Sequence, residues 1–166
     1  MQAMALSLPI IGVGVAAGKM ASDFEDAMAK IVGLVGISRE QTKAWEADLI
    51  AMAPQVGKPP QELAEALYFV TSSGIDAAHA LEVVRIAARA STSGLGEAAV
   101  IADAITSAMN AYGASNLSAA KAADIMTAAV KYGKVEADAL APVLGMILPL
   151  ASALGIGFEQ VAGALA

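Results

Sequence analysis

The sequence predicts an all-α protein: a string of about eight helices packed as antiparallel helical hairpins and assembled as an oligomer. Three observations carry this prediction. Apolar residues recur at alternating three- and four-residue steps, as in Ala98, Ile101, Ile105, Ala108 and Tyr112. A glycine followed by an apolar residue closes one segment after another, at Gly36-Ile37, Gly74-Ile75, Gly94-Leu95 and Gly155-Ile156. No stretch reads as a strand. The irregular spacing of the glycine stops favours a string of hairpins over a regular solenoid.

The elements follow in order. The first helix is built from residues 4–17, or continues through Lys19 toward Val35, where Phe24, Met28, Ile31 and Val35 make one apolar stripe. Asp23, Glu25 and Asp26 read as an acidic first turn that favours the positive end of a helix. Ser38 caps the second helix, with Gln41 in the capping-box position. That helix carries Trp45, Leu49 and Met52 on one face and stops at Pro54 and Gly57. Pro60 opens the third helix at a favoured first position, and Leu63, Leu67 and Val70 form its inner face beside Tyr68. At Gly74-Ile75-Asp76 the glycine takes the left-handed conformation, the isoleucine packs back, and the aspartate caps the next helix. That fourth helix offers Leu81, Val84 and Ala88.

Gly94-Leu95 repeats the stop, and the 98-101-105-108-112 stripe follows until Gly113. Leu117-Ser118 opens a sixth helix with Ala122, Ile125, Ala129 and Tyr132 at the same spacing. Gly133, with Val135 and Glu136 after it, breaks the chain again. Residues 139–154 form the most apolar helix, Gly155-Ile156-Gly157 ends it, and Phe158-Glu159-Gln160 begins a last one.

Composition excludes several classes of function. The chain has 166 residues, 57% hydrophobic but only 4% aromatic. A core of small side chains is thin, so stability leans on helix propensity and on neighbours. The net charge of −6 comes with no basic cluster, whereas sequence-independent nucleic-acid binding needs several cations against the phosphates. No sequence-specific nucleic acid is expected as a partner either. There is no cysteine, hence no disulfide, thiolate metal site or cysteine nucleophile. His79 is the only histidine, so no His–His metal pair exists, and it reads as a helix-surface residue. Arg85 and Arg89 read as a solvated stripe paired with Glu82. Glu62 and Glu65 are surface carboxylates, not a glycosidase pair. Gly12-Val13-Gly14 lacks the third glycine of a nucleotide loop. No catalytic residue, metal ligand or cofactor site is assigned. No positive region precedes the apolar start, so no cleavable signal peptide is expected.

Three passages resemble one known family. They are Phe24-Glu25-Asp26-Ala27-Met28-Ala29-Lys30; Leu63-Ala64-Glu65-Ala66-Leu67-Tyr68 with Ser72-Ser73-Gly74-Ile75; and Ala139-Leu140-Ala141-Pro142-Val143 continuing through Leu154-Gly155-Ile156 to Phe158-Glu159-Gln160-Val161. In order and spacing they resemble the core region of phage tail tape-measure proteins. The resemblance covers residues 21–166 and leaves 1–20 as an apolar N-terminal helical segment. It implies a structural protein of a phage virion or phage-like tail, in the tail lumen or at the tail tip. There it would support tail-length determination, tube assembly and genome delivery. It also implies a homo-oligomer, a trimer as the first choice, with tail tube and tail tip proteins as further partners. Members of the family are far longer, so this chain looks like a fragment or the ordered part of a larger protein.

Two surface roles are expected from the apolar runs. Ile101, Ile105, Tyr112, Leu140, Leu144 and Ile147 are expected to carry self-association. Residues 139–158 lack charge and match the roughly 20 residues of a membrane span. Leu140, Val143, Leu148 and Leu154 would be its membrane segment. The alternative function is therefore a membrane-active or channel-forming helical protein that meets the host envelope during infection.

Overall fold

Eight α-helices follow one another along the described chain, and no strand occurs among the described residues. The computed structural model describes the backbone of residues 7–133 and 137–166, and the side chains of 18–133 and 139–166. The helices are α1 (Ser7–Lys30), α2 (Arg39–Val56), α3 (Pro60–Ser72), α4 (Ala77–Ala90), α5 (Ala98–Tyr112), α6 (Ala119–Tyr132), α7 (Ala137–Ala153) and α8 (Phe158–Leu165). Wider π turns, Ile31–Val35 and Ser91–Leu95, carry α1 and α4 to their ends.

Local chemistry explains the starts and stops. Ser38 Oγ accepts the Gln41 N–H at 3.2 Å, Asp76 Oδ1 accepts the Ala78 N–H at 3.2 Å, and Ser118 Oγ accepts the Lys121 N–H at 3.2 Å. Each satisfies a donor that a helix start leaves without an intrahelical partner. The four glycine–apolar stops all turn left-handed, with φ of 81° at Gly36, 81° at Gly74, 95° at Gly94 and 72° at Gly155. At the last of them Ile156 N–H reaches Ala151 O at 2.9 Å and Gly155 N–H reaches Ser152 O at 3.0 Å. This is the paired closure of a Schellman motif.

Three local expectations are corrected. Asp23, Glu25 and Asp26 lie inside α1, not in a first turn, because the helix already begins by Ser7 and runs across position 20. Glycines at 12, 14 and 18 each weaken a helix by about 1 kcal/mol but do not stop it. Pro54 lies within α2, whose stop is Gly57 at φ 66°. Tyr132 closes the expected stripe of α6 but is 80% exposed; Ala122 and Ala129 of that stripe are buried, and Ala123 and Met126 complete the inner face. Residues 1–6, Val135 and Glu136, and the side chains of the expected 4–17 segment lie outside what is described.

The hairpins stack. The most extensive contacts join α1 with α3, α3 with α5, and α5 with α7, while α2, α4, α6 and α8 form a second row. Direction follows from the polar contacts. At one end of α3, Glu62 Oε1 accepts the Ala98 N–H that begins α5, at 3.1 Å. At the other end, Asn110 Nδ2 donates to Ser73 O at 2.9 Å, and the Ser73 and Thr106 hydroxyls lie 3.0 Å apart. So α3 and α5 run parallel. Ser152 Oγ donates to Ala111 O at 2.6 Å, which places the C-terminal ends of α5 and α7 together. In the second row Thr92 Oγ1 donates to Val56 O at 2.7 Å, joining the ends of α4 and α2. Because α4 ends where α5 begins, beside the start of α3, α3 and α4 are antiparallel, as short connections dictate.

The core is one continuous cluster running from Ala27 and Met28 to Val161 and Ala162. Helix α5 sits at its centre and is buried on several faces at once, including Ala99, Ala102, Ala104, Thr106 and Met109 outside the expected stripe. Alanine lets α3, α4, α6 and α7 all approach it. Trp45, Leu49, Leu63, Leu67 and Met126 supply the bulk, each of the aliphatic ones worth about 1.5–3 kcal/mol when removed from water.

Candidate functional site

The polar chemistry of the chain goes into holding helices together. Glu62 takes a salt bridge from Lys58 at 2.8 Å and also receives the first N–H of α5, so its carboxylate is a structural cap. Lys121 and Glu159 pair at 2.8 Å across the starts of α6 and α8. The Lys121 hydrogen bond is the main reason that the Glu159 carboxyl lies below its ordinary range. Tyr112 Oη donates to Ile156 O at 2.8 Å and its ring leans on Phe158. Burial first, and the Glu159 charge second, push its hydroxyl above the usual tyrosine value. Buried Thr71 and Thr106 donate back to Leu67 O at 2.8 Å and Ala102 O at 2.9 Å. No buried side-chain N or O among the described residues lacks a partner.

Candidate ligand groups are placed as follows. His79 is exposed on α4. Arg85 donates to Gln55 at 3.3 Å across to α2 instead of pairing with Glu82, which corrects the expected stripe. Among the described residues no three His, Cys, Asp or Glu side chains are grouped to hold a metal ion.

The residues expected to mediate self-association fall into two groups. Ile101, Ile105 and Leu144 are 0% exposed and Leu140 is 2% exposed, so these four are spent on the chain's own core. The expectation that this stripe exceeds what one chain covers is corrected: neighbouring helices surround α5 and close over it. Tyr112 is half-buried in its latch to Ile156, and Ile147 lies at the surface.

The expected membrane segment is also corrected. Residues 139–158 are not one helix: α7 ends at Ala153, Gly155 turns left-handed, and α8 begins at Phe158. Among the described residues no helix is long and apolar enough to cross a membrane. Leu140 and Leu148 face the core, Val143 is half-buried, and Leu154 faces outward.

The sequence reasoning named Ile147 and Leu154 but missed that Met146 and Leu150 on the outer side of α7 join Leu154, just past its end, in one exposed apolar row. Met146 is 74% exposed, Leu150 64% and Leu154 67%, and they follow one another at four-residue steps. Between α7 and α8 lies an open groove of about 270 Å³, lined by Ile147, Leu150, Leu154, Ile156, Val161 and Leu165, among others. No charged side chain lines it. Because α7 is apolar on both sides, periodicity alone could not separate its inner face from its outer one.

Fold and surface together define a structural helical module: stacked hairpins whose polar groups fasten helix ends and whose most distinctive surface is an apolar end face. Comparison with known proteins gives that class a family. The chain belongs to the phage-related minor tail protein family, whose model matches residues 46–166. It is similar to the tape measure protein of Pneumococcus phage Dp-1, with 22% identity over 162 residues that cover 97% of this chain and 14% of that protein. It is also similar to the probable tape measure protein of Clostridium phage phiCD119, with 27% identity over 156 residues, 91% of this chain and 16% of that one. The chain thus spans about one-seventh of the length of these curated relatives. No solved structure matches it.

Proposed function

We propose that this chain is the folded helical core module of a tape-measure protein, held in the tail lumen or at the tail tip. The observation that carries the reading is the alignment of nearly the whole chain with two tape measure proteins. In this role the module is a non-catalytic scaffold without a metal or cofactor. It supports assembly of the tail tube around the longer protein, and through it tail length and genome delivery. Its partners are tail tube and tail tip proteins. The acidic balance, a net charge of −6 with no basic cluster, suits a wall past which DNA slides without being held.

The reading is tested in a phage that encodes this chain. Ile105→Glu, which places a charge in the centre of the stack, is introduced into the gene and tails are measured by electron microscopy. Missing tails, or tails of uncontrolled length, are the expected result. Tails of normal length that deliver DNA normally overturn the proposal, provided that the variant chain is shown to be unfolded.

A further inference from the structure

We propose that residues 149–166 form a strap that leaves the stack as one unit, hinged at Gly145–Pro149 and latched at the turn from α5 to α6. The device is independent of the tape-measure reading. Helix α7 runs across Pro142 and Pro149. A proline inside a helix has no N–H for the carbonyl four residues before it, and its ring crowds that carbonyl. For Pro149 the carbonyl belongs to Gly145, and glycine is the weakest helix former after proline. One turn of α7 thus carries both breakers. Up to Pro149 the helix buries Leu140, Ala141, Leu144 and Leu148; beyond it, Ala151 alone.

Downstream of that turn the chain holds together. Ile156 N–H reaches Ala151 O at 2.9 Å, which ties the connection to the last turn of α7. Gln160 Oε1 accepts the Gly157 N–H at 3.0 Å, which ties the connection to α8. The left-handed Gly155 is therefore fixed on both sides. The next joint upstream is Gly145–Pro149.

The latch lies in one place. Among the described residues, the side-chain hydrogen bonds and ion pair that leave the strap all end within residues 111–121. Ser152 Oγ donates to Ala111 O at 2.6 Å, Ile156 O accepts from Tyr112 at 2.8 Å, and Glu159 pairs with Lys121 at 2.8 Å. Elsewhere the seat is loose. The open 270 Å³ groove lies between α8 and α7, and a second open groove of about 420 Å³, lined by Ile125, Ala128, Tyr132, Ala162 and Gly163 among others, lies between α8 and α6. Few buried contacts mark a segment that opens before its neighbours. Once released, neither the last turn of α7 nor the eight-residue α8 is long enough to stay helical in water. Release uncovers Phe158 and Val161, which the closed stack buries.

Hydrogen exchange of the whole chain, read by mass spectrometry on overlapping peptides in low urea, tests the strap. The expected result is one common, low protection for residues 150–166, with a step to higher protection upstream of Pro149. Tyr112→Phe loosens the latch and speeds exchange across the strap about two- to tenfold. Gly145→Ala stiffens the hinge and slows strap exchange about fivefold; its new Cβ, 3.8 Å from Ser107 Oγ, fits without a clash. Pro149→Ala, at an exposed site, restores the missing donor and slows it further. Val70→Ala, at a buried site in α3, speeds the slowest amides of α3 and α5 but leaves the strap unchanged, because opening the strap breaks no α3 contact. A step at Gly155, with residues 150–154 as slow as 140–148, means that α8 frays alone and overturns the proposal. Strap exchange that rises with Val70→Ala, or that neither hinge variant slows, overturns it as well.

Discussion

Tyr112 shows how one side chain fastens two elements and makes the fold sensitive to pH. Its hydroxyl crosses from the end of α5 to Ile156 O in the α7–α8 connection. Tyr112→Phe keeps the ring against Phe158 and deletes that bond, so a loss of about 0.5–1.5 kcal/mol is expected in urea denaturation at neutral pH. The sign of the alkaline dependence follows from the raised pKa. The unfolded chain releases this proton near pH 10, its ordinary value, while the folded chain holds it longer. Stability from this source is whole below about pH 10 and declines as pH rises above it. The Phe variant lacks that share of the decline, and parallel denaturation curves on either side of pH 10 measure the difference. Glu159 acts in the opposite direction, since its lowered pKa gives a contribution present above the ordinary carboxylate value and lost as pH falls through the depressed one. Glu159 is half-exposed, so its pairing with Lys121 is a minor share of stability.

At the scale of elements, the glycine stops and the inner faces are the points of failure. Gly74 turns at φ 81° with nothing within 4 Å of where a Cβ would sit. Gly74→Ala therefore costs backbone strain alone, about 1–2 kcal/mol, read as a lower melting temperature. A cost near zero would mean that the connection relaxes into another turn. Leu148→Asp tests the corrected reading of α7. The leucine is 0% exposed, and burying an unpaired carboxylate there is expected to cost more than about 3 kcal/mol. Circular dichroism should show lost helix content in water, with no membrane present. A folded Leu148→Asp chain of wild-type stability would return this residue to the outer face. Leu144→Ala, which leaves a cavity between α7 and its neighbours, should cost about 2–5 kcal/mol by the same assay.

For the whole molecule, stacking makes stability graded along the chain. Helices α3, α4 and α5 have neighbours on several sides, while the eight-residue α8 touches chiefly α6 and α7. Units with fewer buried contacts open more readily. Hydrogen exchange followed by mass spectrometry should find the slowest amides in α3 and α5 and markedly faster ones in α8. Uniform protection from α2 to α8 would show that the stack opens as a single unit.

The helices, their caps and their stops were legible in the sequence, because each depends on residues within a turn or two of one another. Ser38, Asp76, Ser118 and the glycines at 36, 74, 94 and 155 act through their own neighbours, so a linear reading finds them. Trp45, Leu49, Leu63 and Leu67 declared the inner faces of α2 and α3 because charged residues marked the other side. In α5 and α7 alanine and larger aliphatic residues occur on most sides, and the same periodicity fits an inner or an outer face. Only the tertiary structure decided that Ile105, Leu144 and Leu148 belong to the core while Leu150 and Leu154 belong to the surface. It also decided the odd-with-odd, even-with-even stacking, the capping of α5 by Glu62 and the latch from Tyr112 to Ile156. Those contacts join residues more than thirty positions apart. Which helices meet depends on where every short connection turns the chain, a property of the assembled stack that no local pattern of residues contains.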